Sequence, residues 1–405
     1  MAGALLLASA VQAEDWPQFR GPGGKGISEE TNLPTHWGPE ENIRWKADLP
    51  GRGLSSPVVV GGKVYLTACT GVTQSRLHVL CFDAVHGKKL WERQLHATGN
   101  TLCHPKTCMA APTPVVDGER IYALFATGDL AGFDAAGNLL WYRALAQDYP
   151  GLTNQVGMAA SPVLWKDVLI VPMESAGESF ALGLDKLTGR NRWKVDRPQE
   201  INWVTPLLIT HDGRDEVLFQ SSQDVTAYDP ATGRQNWTYS DKEGFAGSTI
   251  PSAAMGEEVI VSGGGMALRP GPAAATMIWK ASKLKPAYAS PLFYRGRVYA
   301  VNNSAILLNC FNAQDGKVLW QQRVKGPFSA SPVAADGKLY LVNEEGVTTI
   351  LQAGDQPRIL GTNALPEQFL ATPALAGGCI FLRSDQHLYC IGRGEPGQGA
   401  AARSN

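Results

Sequence analysis

The sequence predicts an all-β chain: an eight-bladed β-propeller of four-stranded antiparallel blades, the last blade closed by an N-terminal strand. Three observations carry this. A segment pattern returns eight times, opening on Ser/Thr-Pro in seven copies and on Ile-Pro in the fifth, at steps of 40 to 57 residues between successive prolines, the spacing of four-stranded propeller blades. A Trp recurs at one fixed place late in the pattern. The eighth copy lacks its last strand, while the N-terminus carries a spare one.

The first copy reads Ser56-Pro57-Val-Val-Val, a Gly61-Gly62 turn, Lys63-Val-Tyr-Leu, then Leu80-Cys-Phe-Asp83, a turn at Gly87, and Lys89-Leu-Trp91. Such short β-rich runs separated by Gly or Asp-Gly turns read as consecutive antiparallel strands, here A to D. The later copies open at Thr113-Pro114, Ser161-Pro162, Thr205-Pro206, Ile250-Pro251, Ser290-Pro291, Ser331-Pro332 and Thr372-Pro373. Their fourth strands carry Trp141, Trp193, Trp237, Trp279 and Trp320, with Ile359 in the seventh copy. A single such sheet cannot cover both its faces, whereas sheets stacked around an axis cover one another. The Trp offers the large apolar surface for that stacking. The Asp-x-x-x-Gly turn before it suits an Asx-type turn closed by a Gly of positive φ. The spare strand is 42–49, with Trp45 in the strand-D place; pairing it with the eighth sheet leaves no open edge in the ring.

These readings divide the chain into a signal peptide (1–13), an N-terminal wrapping segment (14–41), the propeller (42–393) and a disordered tail (394–405). Residues 1–13 are a short apolar stretch ending in Val11-Gln12-Ala13, a signal-peptidase-like site, and too short to span a bilayer. Export to the periplasm or beyond follows as an expectation. Formal net charge is −1, with 18% charged and 44% hydrophobic residues. A near-neutral chain without basic runs carries no electrostatic footprint for nucleic acid, and nothing in the sequence asks for more than a monomer.

The seven Cys divide by position. Cys103 and Cys108 lie in Cys-His-Pro-Lys-Thr-Cys and are the disulfide candidate. Cys81, Cys310 and Cys390 hold one equivalent place in three repeats and read as small buried hydrophobes. Cys379 starts a strand beside that of Cys390, where a cross-strand bridge is open.

The turns Asp185-Lys-Leu-Thr-Gly-Arg-Asn-Arg-Trp193 and Asp229-Pro-Ala-Thr-Gly-Arg-Gln-Asn-Trp237 resemble the tryptophan-docking motif of PQQ-like (quinoprotein-type) propeller repeats. The opening Asp15-Trp-Pro-Gln-Phe-Arg-Gly-Pro22 resembles the leader of secreted planctomycete-type members. The repeats are also similar to those of the barrel-assembly machinery propeller lipoprotein, a protein-binding scaffold. The resemblance spans nearly the whole mature chain and implies fold, with Trp45, Trp91, Trp141, Trp193, Trp237, Trp279 and Trp320 as structural residues. It does not by itself assign chemistry.

The longer D–A and B–C connections share one face, where a rigid frame usually carries function. The candidate ligand-binding residues there are Asn154, Gln155, Glu174, Ser175, Asn202, Trp203, Gln220, Asn302, Asn343 and Arg383, with Ser221, Asn303, Glu344 and Asp385 on the same inner turns. Quinoprotein alcohol dehydrogenases, similar in fold, hold PQQ over a Trp platform with calcium and a vicinal disulfide. No two Cys are adjacent here. Trp203 as platform and Glu174 as calcium ligand are the remaining matches. No zinc spacing, haem-attachment spacing, nucleophile elbow or phosphate loop is present. The reading is therefore an exported, non-catalytic binding scaffold for a protein, a glycan or a small polar ligand, with no assigned metal; a PQQ- and calcium-dependent oxidoreductase is the alternative.

Overall fold

The computed structural model describes residues 14–153, 156–241 and 249–393. The segments read as signal peptide and tail, with Asn154 and Gln155, lie outside these. Eight sheets form blades at 58–96, 115–144, 163–196, 207–239, 254–280, 292–323, 333–364 and 374–391, each running A to D from the axis outward. Among the described residues helix is confined to Leu145–Asp148 and a 3-10 turn at Pro22–Gly24. No helix among the described residues is long and apolar enough to cross a membrane. The eighth blade takes its outer strand from Ile43–Asp48, antiparallel to His387–Ile391 with Trp45 opposite Cys390. The ring is thus closed by its own beginning, as the spare strand predicts.

Inner and middle strands are buried along nearly their whole length, whereas strand D alternates exposed and covered residues. The apolar core accordingly lies between blades rather than within one. Each strand-D Trp faces a small residue of its own strand C: Cys81 opposite Trp91, Gly183 opposite Trp193, Cys310 opposite Trp320. The indole then reaches the next blade. Trp45, Trp91, Trp141, Trp193, Trp279 and Trp320 donate Nε1–H to the carbonyls of Ala84, Ala135, Lys186, Pro230, Ala313 and Gly354, at 2.8 to 3.2 Å. For Trp45, Trp91, Trp141, Trp193 and Trp279 the ring packs against that blade's turn glycine, Gly87, Gly137, Gly189, Gly233 and Gly316. A Cβ on Gly233 would stand 2.8 Å from the Trp193 ring, and φ there is +70°. The glycine is therefore required twice, for its left-handed backbone and for its missing side chain. Trp237 is the exception. Its Nε1 bonds Glu216 of its own blade at 3.0 Å, because the fifth blade has no Gly-closed turn in the place where the indole would dock.

Residues 14–41 cross the A–B turn face. Trp16 pairs its backbone with Val59 of the first blade, and Val116 of the second donates to Pro17 O. Arg20, buried, donates to Ala253 O and Pro291 O of the fifth and sixth blades at 3.1 and 2.6 Å. Ile27–Ser28 adds a parallel strand to the inner edge of the seventh blade. Glu30 accepts from Gly377 and Gly378 of the eighth. The leader needs its glycines: a Cβ on Gly21, at φ +67°, would enter the Trp16 ring at 2.5 Å.

All seven Cys are free thiols. Cys103 Sγ faces Thr107 O at 3.7 Å and receives Gln74 Nε2 at 3.7 Å, while Cys108 turns inward to Cys69.

Candidate functional site: a one-ended axial cavity

A cavity of about 320 Å³ occupies the axis. Its wall is a ring of eight hydroxyls, one per blade: Ser56, Thr113, Ser161, Thr205, Ser252, Ser290, Ser331 and Thr372. Seven seams are linked identically, each backbone N–H donating to the next hydroxyl. Ser56 N reaches Thr113 Oγ1, Thr113 N reaches Ser161 Oγ, and so on round to Ser331 N on Thr372 Oγ1, at 2.9 to 3.0 Å. Each of these acceptors keeps its own O–H proton uncommitted among the described residues. Buried hydroxyls ask for partners, so the wall presents a belt of donors to whatever fills the cavity.

The floor is Phe19 of the leader segment. The D–A connections converge at the mouth and contribute His104, Lys106, Trp203, Ile250, Tyr288 and Leu370. Lys106 spans the opening. Its Nζ donates to both Glu344 carboxylate oxygens, at 3.0 and 3.1 Å, and lies 5.0 Å over the Tyr288 ring. Ser329 also donates to Glu344, at 2.8 Å. Four connections, three of them from the fifth, sixth and seventh blades and one from the first, are thus tied over one cavity.

Among the described residues, Trp203 is the one predicted ligand residue that lines this cavity, fixed by its Nε1 donating to Gly157 O at 2.7 Å. The other described candidates fasten loops. Glu174 accepts from Arg197 Nε at 3.1 Å and from Asn202 Nδ2 at 2.5 Å. Burial pushes its carboxyl up, against the pull of Arg197. Asn202 Nδ2 also donates to Gln220 O, and the Gln220 side chain spans from Gly263 N to Pro251 O. Ser175 caps its own turn, donating to Glu178 O. Ser221 organises its turn with Asp224, and Asn302 accepts from Ala305 N. Asn303 grips both polar groups of the Phe328 backbone. Asn343 accepts from Glu345 and Val347. Arg383 is buried at the closing seam, where Nη1 reaches Ser55 Oγ at 3.0 Å and Thr67 O at 2.8 Å; Asp385 accepts from Gly53 N at 3.2 Å. The B–C turns do point inward. Their polar groups are used up within the turns themselves, as at Ser175, Ser221 and Asn302, or by the D–A connections, as at Glu174 and Gln220.

These residues do not suit a calcium-bound quinone. Calcium takes six to eight oxygen ligands, carboxylates foremost. The described lining holds no carboxylate and no side-chain amide. Glu174 is already neutralised by Arg197, and among the described residues no three His, Cys, Asp or Glu cluster in a metal-binding arrangement.

The hydroxyl ring escapes a local reading of the sequence, although its members are the Ser/Thr of the Ser/Thr-Pro openings. In the fifth copy the apparent opening Ile250-Pro251 is displaced: the ring member is Ser252.

The profile of the family described as outer membrane protein assembly factor BamB matches residues 39–177, 159–268, 221–309, 271–357 and 309–393. The chain belongs to that family of PQQ-like propellers. No curated protein matches its sequence. Among solved structures it is similar to BamB from Moraxella catarrhalis, at 17% identity and a TM-score of 0.63 over 86% of this chain and 96% of that one. It is equally similar in fold to the quinohemoprotein alcohol dehydrogenase of Comamonas testosteroni, at 13% identity and a TM-score of 0.70 over 94% and 81%. A europium-containing methanol dehydrogenase gives 13% and 0.70 over 91% and 89%. At these identities the likeness is one of fold.

Proposed function

We propose that this member of the family is an exported, non-catalytic binding protein that holds a small, hydrogen-bond-accepting ligand in its axial cavity. The observation that carries the reading is the belt of uncommitted hydroxyl donors around a cavity floored by Phe19. Such a wall favours carboxylate, carbonyl or sugar oxygens, and Trp203 and Tyr288 at the mouth offer flat apolar faces to the rest of the molecule. Nothing in the lining abstracts a proton and attacks: no carboxylate base stands there, and His104 Nδ1 is occupied by Lys106 N at 3.1 Å.

Export is supported by the N-terminal apolar stretch and by the family. A protein partner on the same face is a second reading, favoured by the exposed apolar side chains Val72, Leu102, Ile201, Tyr288 and Ile306 on the loops around the mouth.

The test is a thermal-shift and calorimetric panel of small carboxylates, phosphates and neutral sugars, with PQQ plus calcium as a separate arm. Stabilisation by an acceptor-rich compound, lost in Trp203→Ala and weakened in Ser161→Ala, is the expected result. Tight, stoichiometric uptake of PQQ and calcium with dye-linked alcohol oxidation would overturn the reading.

A further inference from the structure

The connection from the first blade to the second, residues 97–114, forms a strap over the cavity mouth. Its base is held by buried Asp129, which accepts from Thr98 N at 3.1 Å and Thr98 Oγ1 at 2.7 Å. His104 N donates to Val156 O at 3.0 Å, and the Arg52 guanidinium donates to Pro105 O. Lys106 crosses to Glu344 as described. The chain then dives, and Cys108 becomes fully buried beside Cys69, the penultimate residue of the strand Lys63–Thr70.

Cys69 and Cys108 stand within hydrogen-bond reach of each other. Cys69 Sγ also faces Arg52 O and Gln74 Oε1, each at 3.3 Å. The same Gln74 accepts from Met109 N at 3.0 Å and donates to Cys103 Sγ at 3.7 Å. Its amide therefore stands between Cys103 and the buried pair. The hydrogen bond from Cys108 holds the Cys69 thiol below its usual range, and burial drives that of Cys108 well above.

We propose that Cys69 and Cys108 are joined by a disulfide in the mature protein, fastening the strap that roofs the axial cavity. Both S–H bonds break and one S–S bond forms. The two electrons and the two protons pass to the disulfide of a thiol–disulfide oxidase in the exported compartment, which is reduced to its dithiol. Both sulfurs are buried in the finished fold, so the exchange occurs while the chain folds and the bond then resists reduction. The proposal rests on the export reading, since disulfides persist in oxidising compartments.

Trypsin tests this directly. Cleavage after Lys63, Arg76, Arg93, Lys106 and Arg120 puts Cys69, Cys103 and Cys108 on three separate peptides, 64–76, 94–106 and 107–120. The full chain is expressed with its leader, fractionated, alkylated under denaturing non-reducing conditions and digested. The expected result is an exported protein giving peptide 64–76 joined to 107–120, with alkylated Cys103. The link survives in Cys103→Ser and vanishes in Cys69→Ser, and reduction under denaturing conditions lowers the refolded Tm by a few degrees. An exported protein whose Cys69 and Cys108 are both alkylated, or whose link joins 94–106, overturns the pairing. Protein found only in the cytoplasm overturns export instead. In that case, refolding the purified chain in glutathione disulfide still decides the pairing: linked 64–76 and 107–120 supports it, and their absence removes it.

Discussion

The seam between the third and fourth blades and the seam between the eighth and first do the same job by different means. At the rim they match. Trp193 lies on Gly233 and bonds Pro230 O at 3.0 Å, and Trp45 lies on Gly87 and bonds Ala84 O at 3.0 Å. Near the axis they diverge. The regular seam is tied by Ser161 N donating to Thr205 Oγ1. The closing seam is tied by Arg383, whose guanidinium reaches both Ser55 and Thr67 and is covered closely enough that a Cβ on Gly53 would meet it at 2.4 Å. A seam inside the chain forms between repeats already adjacent in sequence. The closing seam joins residues more than 300 positions apart, and one many-armed side chain supplies what repetition supplies elsewhere. Burial pulls the Arg383 guanidinium down from its usual range, against the opposing pull of Cys108 and Asp385, which makes the clasp costly to bury and sensitive to loss of any acceptor.

The largest expected effect comes from removing the closing strand. Deleting 14–49 leaves the eighth sheet with three strands and the leader's floor gone. Chemical denaturation should then lose its single cooperative transition, and analytical ultracentrifugation should show association through the bared edge. Next come the rim contacts. Trp193→Ala opens a cavity against Gly233 and should cost about 3–5 kcal/mol in denaturant midpoint analysis. Arg383→Leu should cost about 2–4 kcal/mol, because Thr67 O and Ser55 Oγ lose their charged donor and keep only their bonds to each other. If hydrogen exchange then spreads evenly over all blades, the closing seam is not special. If it rises first at blades one and eight, the comparison holds.

A finer contrast uses two glycines with the same backbone. Gly213 and Gly233 have φ of +72° and +70°, yet a Cβ on Gly213 meets nothing within 4 Å while one on Gly233 meets Trp193. Both Ala variants carry the left-handed penalty of about 1–2 kcal/mol. Gly233→Ala should lose at least ~1 kcal/mol more, and equal losses would remove Trp docking from the account.

The smallest effect concerns acid. Burial alone would raise Glu367, but bonds from Ser384, Tyr389, His387 and Lys46 outweigh it and hold the carboxyl down at about 2, against an ordinary 4.5. A depressed folded pKa gives stability that is fully present above 4.5 and lost as pH falls toward 2. Lys46 belongs to the closing strand, so exchange in 43–48 should accelerate between pH 4.5 and 2 before it does in strand D of the third blade. Glu367→Gln should flatten that difference.

The frame was legible because its rules are local. A glycine under the preceding blade's indole, a small residue opposite the Trp and a turn of fixed length each recur from repeat to repeat. The spare strand at 42–49 was legible by bookkeeping of repeats alone. The site was not. Ser56 and Thr113 read as punctuation before proline, and only the ring turns them into a wall. Glu174 and Gln220 sit on inward turns, as the repeat implies, but the covering loops consume them. Lys106 reaches Glu344 across 238 positions, and no sequence period encodes such a distance.

The central claim is that the belt of hydroxyls is a ligand wall. Its most direct measurement is native mass spectrometry of the protein isolated from its own source, followed by crystallography of the same material. A small acceptor-rich molecule, retained at one per chain, bonded to the Ser161–Thr205 arc beneath Trp203 and lost in Trp203→Ala, is the predicted result. Native protein whose mass shows no retained molecule and whose axial cavity holds only water, or a ligand seated elsewhere, would contradict it.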